Sequence, residues 1–151
     1  IERCIDRALA RHYELTPVSL ETEKQDGVDR IGIRRANGAQ TRFEYKADFV
    51  SQRTRNAYIE TKRWDGTPSW GYVSRADYII IALPADCIAL AFKPTTPAEH
   101  LPEWEKQYGT RAVWTKGRFK DYQTWGTPVP LDVISPLAVG RFFVPTEMGT
   151  N

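Results

Sequence analysis

The stretch Val28-Asp-Arg-Ile-Gly-Ile-Arg34-Arg-Ala-Asn37-Gly38-Ala-Gln-Thr41-Arg-Phe43-Glu-Tyr45-Lys-Ala47-Asp48-Phe49-Val50 decides how the chain is read. Asn-Gly suits the positive-φ positions of a tight hairpin turn, and here it separates two runs of strand-forming residues. It predicts a strand over 28–35 and a return strand over 41–50. Along the return strand Phe43, Tyr45, Ala47 and Phe49 share one face. Arg42, Glu44, Lys46 and Asp48 share the other, the period of two of a half-buried strand. Upstream, Ile5, Ala8, Leu9 and His12/Tyr13 form an apolar stripe with helical spacing over 2–14, ended by Thr16-Pro17. Downstream come a polar turn over 51–56, a third strand over 57–64 and a loop rich in Gly, Pro and Trp over 65–72. Strands over 77–83 and 87–92 and a helix from Thr95 to Tyr108 follow. Short strands are expected over 112–115, 130–134 and 141–144. This order predicts an α/β (α+β) fold, a mixed β-sheet flanked by helices.

The chain has 151 residues, 41% hydrophobic and 26% charged, which suits one globular domain spanning 1–151. The longest apolar run, around Tyr78–Leu83, is far short of the roughly 20 residues of a membrane helix. No membrane association and a cytoplasmic (intracellular) location are expected. Cys4 and Cys87 have no CxxC spacing and read as two buried thiols in a reducing compartment. His12 and His100 lack metal-ligand partners at zinc spacing, and His12 reads as a partly buried structural residue. No P-loop, dinucleotide-binding or nucleophile-elbow glycine pattern is present, which leaves an NTPase, a dinucleotide enzyme or an α/β-hydrolase without support.

The formal net charge of +2 hides a segregation. Residues 1–29 carry a net −3, residues 30–75 a net +6 with ten basic side chains, and residues 76–151 a net −1. A basic segment of this kind attracts phosphate.

Within it, Asp48 closes the polar face of the return strand, and Glu60-Thr-Lys62 lies on the next strand. Residues two apart share a face, so Glu60 and Lys62 project together while Ile59 and Thr61 project oppositely. If the two strands pair through the 51–56 turn, Asp48, Glu60 and Lys62 converge. Two carboxylates can hold Mg²⁺, which keeps several of its waters and lowers the pKa of one of them. A neighbouring lysine can orient that water. The competing reading is an exposed cross-strand ion-pair cluster. Glu44 and Lys46, on the same face, read as a solvated pair.

Asp48…Glu60-Thr-Lys62 resembles the motif of the PD-(D/E)XK nuclease superfamily, with Ala47-Asp48 in place of Pro-Asp. Trp64-Asp-Gly-Thr-Pro-Ser-Trp-Gly-Tyr-Val-Ser-Arg-Ala-Asp-Tyr-Ile-Ile-Ile-Ala-Leu83 looks like the segment that follows the Glu-x-Lys strand in small phage and bacterial nucleases of this type. The resemblance covers roughly residues 1–93 and is sharpest over 43–83. It implies a restriction-endonuclease-like fold and a Mg²⁺-dependent DNA endonuclease, of the homing, restriction-like or junction-resolving kind. It implies catalytic Asp48, Glu60 and Lys62. It also implies metal ligation by Asp48, Glu60 and the backbone carbonyl of Thr61, with Mn²⁺ able to substitute. An acidic residue of the first helix, Glu2 or Asp6, completes such a site, with Glu21 and Glu23 as alternatives.

DNA is the expected partner, and double-strand cleavage calls for a homodimer or larger symmetric assembly. Candidate DNA contacts are Arg42, Arg53, Arg55, Arg63, Trp70, Arg75, Lys116, Arg118 and Lys120. Trp64, Trp70 and Tyr72 are candidates for base stacking or for packing at the core edge, and Ser69 and Ser74 for phosphate contact. Asp77 reads as a structural acceptor. The rival functions are a non-catalytic DNA-binding module on the same fold and a protein-interaction domain.

Overall fold

A computed structural model describes residues 1–115 and 121–145. Lys116, Arg118 and Lys120 lie outside the described residues. The elements are α1 (Glu2–Leu9), β1 (Tyr13–Pro17), α2 (Leu20–Asp26), β2 (Arg30–Arg34), β3 (Gln40–Ala47), α3 (Ser51–Thr54), β4 (Asn56–Lys62), α4 (Trp70–Val73), β5 (Tyr78–Leu83) and β6 (Ile88–Phe92). After these come α5 (Thr95–Tyr108), β7 (Arg111–Thr115), β8 (Tyr122–Pro130), α6 (Leu131–Ile134) and β9 (Gly140–Phe143).

Six strands form one sheet in the order β1-β2-β3-β5-β6-β9. Only β3 and β5 run parallel in it. A second, antiparallel sheet has the order β4-β8-β7. The fold is therefore α+β. Alternation along β5 divides the core. Ile80 and Ala82 face α1, where Ile5 and Leu9 pack with Phe43 and Tyr45. Ile79, Ile81 and Leu83 face the other way and meet Ile59, Trp70, Leu101, Trp104, Val129 and Ile134. The second sheet, α4 and α5 thus cover the face of the large sheet opposite α1. No helix among the described residues is long and apolar enough to cross a membrane.

The hairpin and the helix Thr95–Tyr108 form as expected. Three expectations are corrected, and one helix is unforeseen. The first helix stops at Leu9, and Tyr13 reaches its apolar site from a strand, pairing with Arg34 and meeting Phe43 edge-on at 5.0 Å. Residues 20–26 form a helix, with Ser19 accepting at its N-cap from the Thr22 N–H. Residues 131–134 are a helical turn, with the strand ending at Pro130. Most consequentially, β4 does not pair with β3. Its partner is β8, in the other sheet, and the place beside β3 is taken by β5. The cause is local. α3 and Arg55, which adopts a left-handed φ of +54°, turn the chain out of the plane of the large sheet before β4 begins.

Candidate active site

The β2–β3 ladder sets Arg30 opposite Phe43. The ladder ends there, and Asp29, just before β2, donates its N–H to the Phe43 carbonyl at 2.8 Å, out of the ladder's register. The Asp29 carboxylate bends to accept the Tyr45 N–H. Lys46, two residues beyond Glu44, shares its face, and its Nζ lies 2.8 Å from Glu44 Oε1. Glu44 is only 2% exposed, and its other oxygen accepts from the Ser74 hydroxyl. Gly27 ends α2 at φ +65°, and a Cβ there would stand 3.3 Å from Glu44 Oε1. This position demands glycine for its backbone, and the carboxylate uses the room that glycine leaves.

The electrostatics follow from this crowding. Burial pushes the Asp29 carboxyl up, and Glu44 and Glu23 add to it. The Tyr45 N–H and Lys46 oppose the rise, and the pKa settles at about 6. For Lys46, burial works to lower the pKa. The ion pair and hydrogen bond with Glu44, then Asp29 and Glu60, outweigh it and hold the ammonium charged.

Two clefts open beside Glu44 and Lys46, and Asp29 lines neither. On the Glu44 side a cleft of about 270 Å³ has Arg63, Arg75, Ser74 and Gln25 in its lining. On the Lys46 side a cleft of about 520 Å³ is lined in part by Asp48, Glu60, Tyr58, Phe49 and Trp114. Trp70 walls both, and Lys46 Nζ lies 5.6 Å from its ring centroid. Phe49 and Trp114, each 70% exposed, stand at the rim of the larger cleft.

The sequence-predicted set is dispersed. Asp48 and Glu60 reach one cleft, from different sheets. Both Asp48 oxygens are occupied by backbone donors: Oδ1 accepts from Val50 and Ser51, and Oδ2 from Tyr58 at 2.8 Å. Asp48 thus ties the β3 end to α3 and β4. Glu60 accepts from Ser69 at 2.9 Å. The ladder slips between Glu60 and Lys62, so the alternation linking them is interrupted, and Lys62 is exposed. The Thr61 carbonyl accepts the Ser69 N–H at 3.0 Å. Glu2 lies elsewhere, bonded to Arg30 at 2.8 Å, and Asp6 shares that guanidinium.

Among the expected DNA contacts, Arg42 pairs with Asp77, Arg55 with Asp86 and Arg75 with Asp26. Arg53 and Arg63 are exposed, and Trp70 is buried at 6% exposure within the core. Tyr72 donates to Glu105 at 2.7 Å. Asp77 accepts the Arg42 N–H at 2.7 Å, the structural role expected of it. His12 is exposed, and Phe49 lies past the end of β3.

Of the pair read as solvated, Glu44 is buried while the Lys46 side chain stays 34% exposed, and Asp29 joins them unforeseen. The signal was in the sequence. Glu44-Tyr-Lys46 has the same acidic–x–lysine spacing as Glu60-Thr-Lys62, and a hairpin turning near Asn37-Gly38 brings residue 29 near residue 44.

Among the described residues no group of three or more His, Cys, Asp and Glu gathers to hold a metal ion. Mg²⁺ needs only one or two protein carboxylates and retains its waters. Asp29 and Glu44 supply that number of hard oxygen donors, and a cation beside them would offset the burial, and the smaller repulsion from Glu44, that raise Asp29. The donor set fits Mg²⁺. Comparison of the chain with protein-family models, curated proteins and solved structures finds no match.

Proposed function

We propose that this protein is a Mg²⁺-dependent DNA endonuclease whose centre is Asp29, Glu44 and Lys46. The observation that carries the reading is the meeting of Asp29 and Glu44, two carboxylates near enough to repel, with a lysine ammonium bonded to Glu44. A fold selected for stability alone has no reason to keep them so close. A mixed sheet flanked by helices, with an acidic–x–lysine strand at its centre, is what the PD-(D/E)XK resemblance implied. The strand that fits is β3, with Val28-Asp29 in the place of the motif's Pro-Asp.

Asp29 and Glu44 would hold the metal, which when bound supplies an activated water and charge neutralisation at a phosphodiester. The Lys46 ammonium is positioned to orient the attacking water and to stabilise charge developing on phosphate oxygens. Arg63 and Arg75 line the cleft on the Glu44 side and would meet the DNA backbone. Cutting both strands would require two copies acting together.

The test uses supercoiled, linear and four-way-junction DNA with Mg²⁺ or Mn²⁺. The parent should nick DNA, EDTA should stop it, and Lys46→Met and Glu44→Gln should abolish cleavage while Lys62→Ala cuts normally. DNA that is retarded but intact with every metal would favour the non-catalytic binding module. Loss of cleavage in Lys62→Ala with full activity in Lys46→Met would move the centre to the β4 residues.

A further inference from the structure

The basic segment 30–75 spends half of its charge inside the molecule. Of its ten cationic side chains, Arg30, Arg42, Lys46, Arg55 and Arg75 pair with carboxylates. Arg34 and Arg35 do not. They sit at the end of β2 beside the residues just past α1, where Arg11, His12, Tyr13, Arg34 and Arg35 line a concavity of about 580 Å³.

No carboxylate among the described residues pairs with Arg11, Arg34 or Arg35. Neutral groups fix the two β2-end guanidiniums instead. Arg34 donates to the Tyr13 hydroxyl at 3.1 Å and lies 5.7 Å from the centroid of that ring. Arg35 donates from Nε to the Ala10 carbonyl at 2.9 Å, and its backbone N–H donates to the His12 carbonyl. Glu14 borders only the adjoining concavity, which it shares with Arg35 and Arg7. Each bond uses one donor of a five-donor fork and leaves the others for a ligand. Guanidiniums with their direction set and their charge uncompensated suit bidentate binding of phosphate oxygens.

We infer that the concavity framed by Arg11, Arg34 and Arg35 binds a phosphate oxyanion, from a DNA backbone or from a free phosphoester. The site is separate from the candidate active site. Five residues of β2 place Arg34 about 17 Å from Asp29. Alternation along β2 also sets Arg34 on the α1 side of the sheet, the opposite face from Asp29 and Glu44. The inference does not rest on the nuclease reading and is tested without a divalent metal.

The double variant Arg34→Gln/Arg35→Gln keeps the side-chain stems and leaves the backbone bond of Arg35 in place. DNA affinity is measured in EDTA across a salt series, with circular dichroism as the check on folding. The expected result is at least a tenfold loss of affinity and a fall of about 2 in the slope of log K against log salt, near 0.9 per lost phosphate contact. The exposed Arg141, on the far edge strand β9, serves as control, and Arg141→Gln should leave both quantities unchanged. In a second arm inorganic phosphate is titrated while the ring resonances of His12 are followed, and a saturable shift absent from the double variant is expected. A response to DNA identifies a backbone contact, and a response to inorganic phosphate alone identifies a free phosphoester. Unchanged affinity and slope in the folded double variant together with an unmoved His12 would overturn the site. So would an equal loss in Arg141→Gln with no His12 shift, since that is the behaviour of net charge alone.

Discussion

Replacing Asp29 by Asn should stabilise the metal-free protein while removing the proposed activity. The native carboxyl titrates at about 6, against 3.8 for an ordinary aspartate. Between these values the native state holds a proton that the unfolded state has lost, so stability falls as pH rises through the interval and the loss is complete above the native pKa. At about 1.4 kcal/mol per pH unit the ionised carboxylate costs the fold up to about 3 kcal/mol. Asp29 is partly exposed, and solvent screening brings the expected figure to about 2 kcal/mol. An asparagine carbonyl can still accept the Tyr45 N–H, and the amide carries no charge toward Glu44. Urea unfolding of parent and Asp29→Asn is compared at several pH values between about 4 and 8, where other groups cancel in the difference. The variant's advantage should be small near pH 4 and reach its plateau above about pH 6. Added Mg²⁺ should narrow the gap near neutral pH by binding only the carboxylate form. A variant no more stable than the parent at neutral pH, or a gap that does not change with pH, would refute the electrostatic account of this centre.

Two further substitutions probe the surroundings. Gly27→Ala forces an alanine to φ +65° and sets its Cβ against Glu44 Oε1, and should cost about 1–2 kcal/mol in urea or thermal unfolding. Asp48→Ala removes the acceptor of three backbone N–H groups and should lower stability by about 2 kcal/mol, while the cleavage rate per folded molecule stays unchanged. Nuclease assays on the folded fraction separate that outcome from a metal-binding role for Asp48.

Much of the fold was legible locally. Asn37-Gly38 announced the β2–β3 hairpin because few residues adopt a tight turn's backbone, and the alternation of Phe43 and Tyr45 with Glu44 and Lys46 defined the faces of β3. Helix α5 was readable from its start signal and the Gly109 stop. The extent of α1 was not. Ile5, Leu9 and Tyr13 keep helical spacing, yet pairing with Arg34 drew Tyr13 into a strand, a contact between residues 21 apart that periodicity does not report.

The site divides along the same line. By itself the sequence determined the chemistry available: an acidic–x–lysine pattern in a basic segment, with a hairpin before it and an apolar strand after it. It offered that pattern twice, at Glu44-Tyr-Lys46 and at Glu60-Thr-Lys62, and the 12-residue gap after Asp48 together with the apolar strand that follows favoured the second. Only the tertiary structure tells the two apart. α3 and the left-handed Arg55 carry β4 into the other sheet, β5 takes its place beside β3, and three backbone N–H groups occupy Asp48. The physical reason is that a strand's neighbours are chosen by packing of its faces against distant segments, while its alternation is set by residues next to one another. Alternation placed Glu44 and Lys46 on one face, and packing placed Gly27 and Ser74 against Glu44 and Trp70 beside Lys46, which buried the carboxylate of an apparently solvated pair.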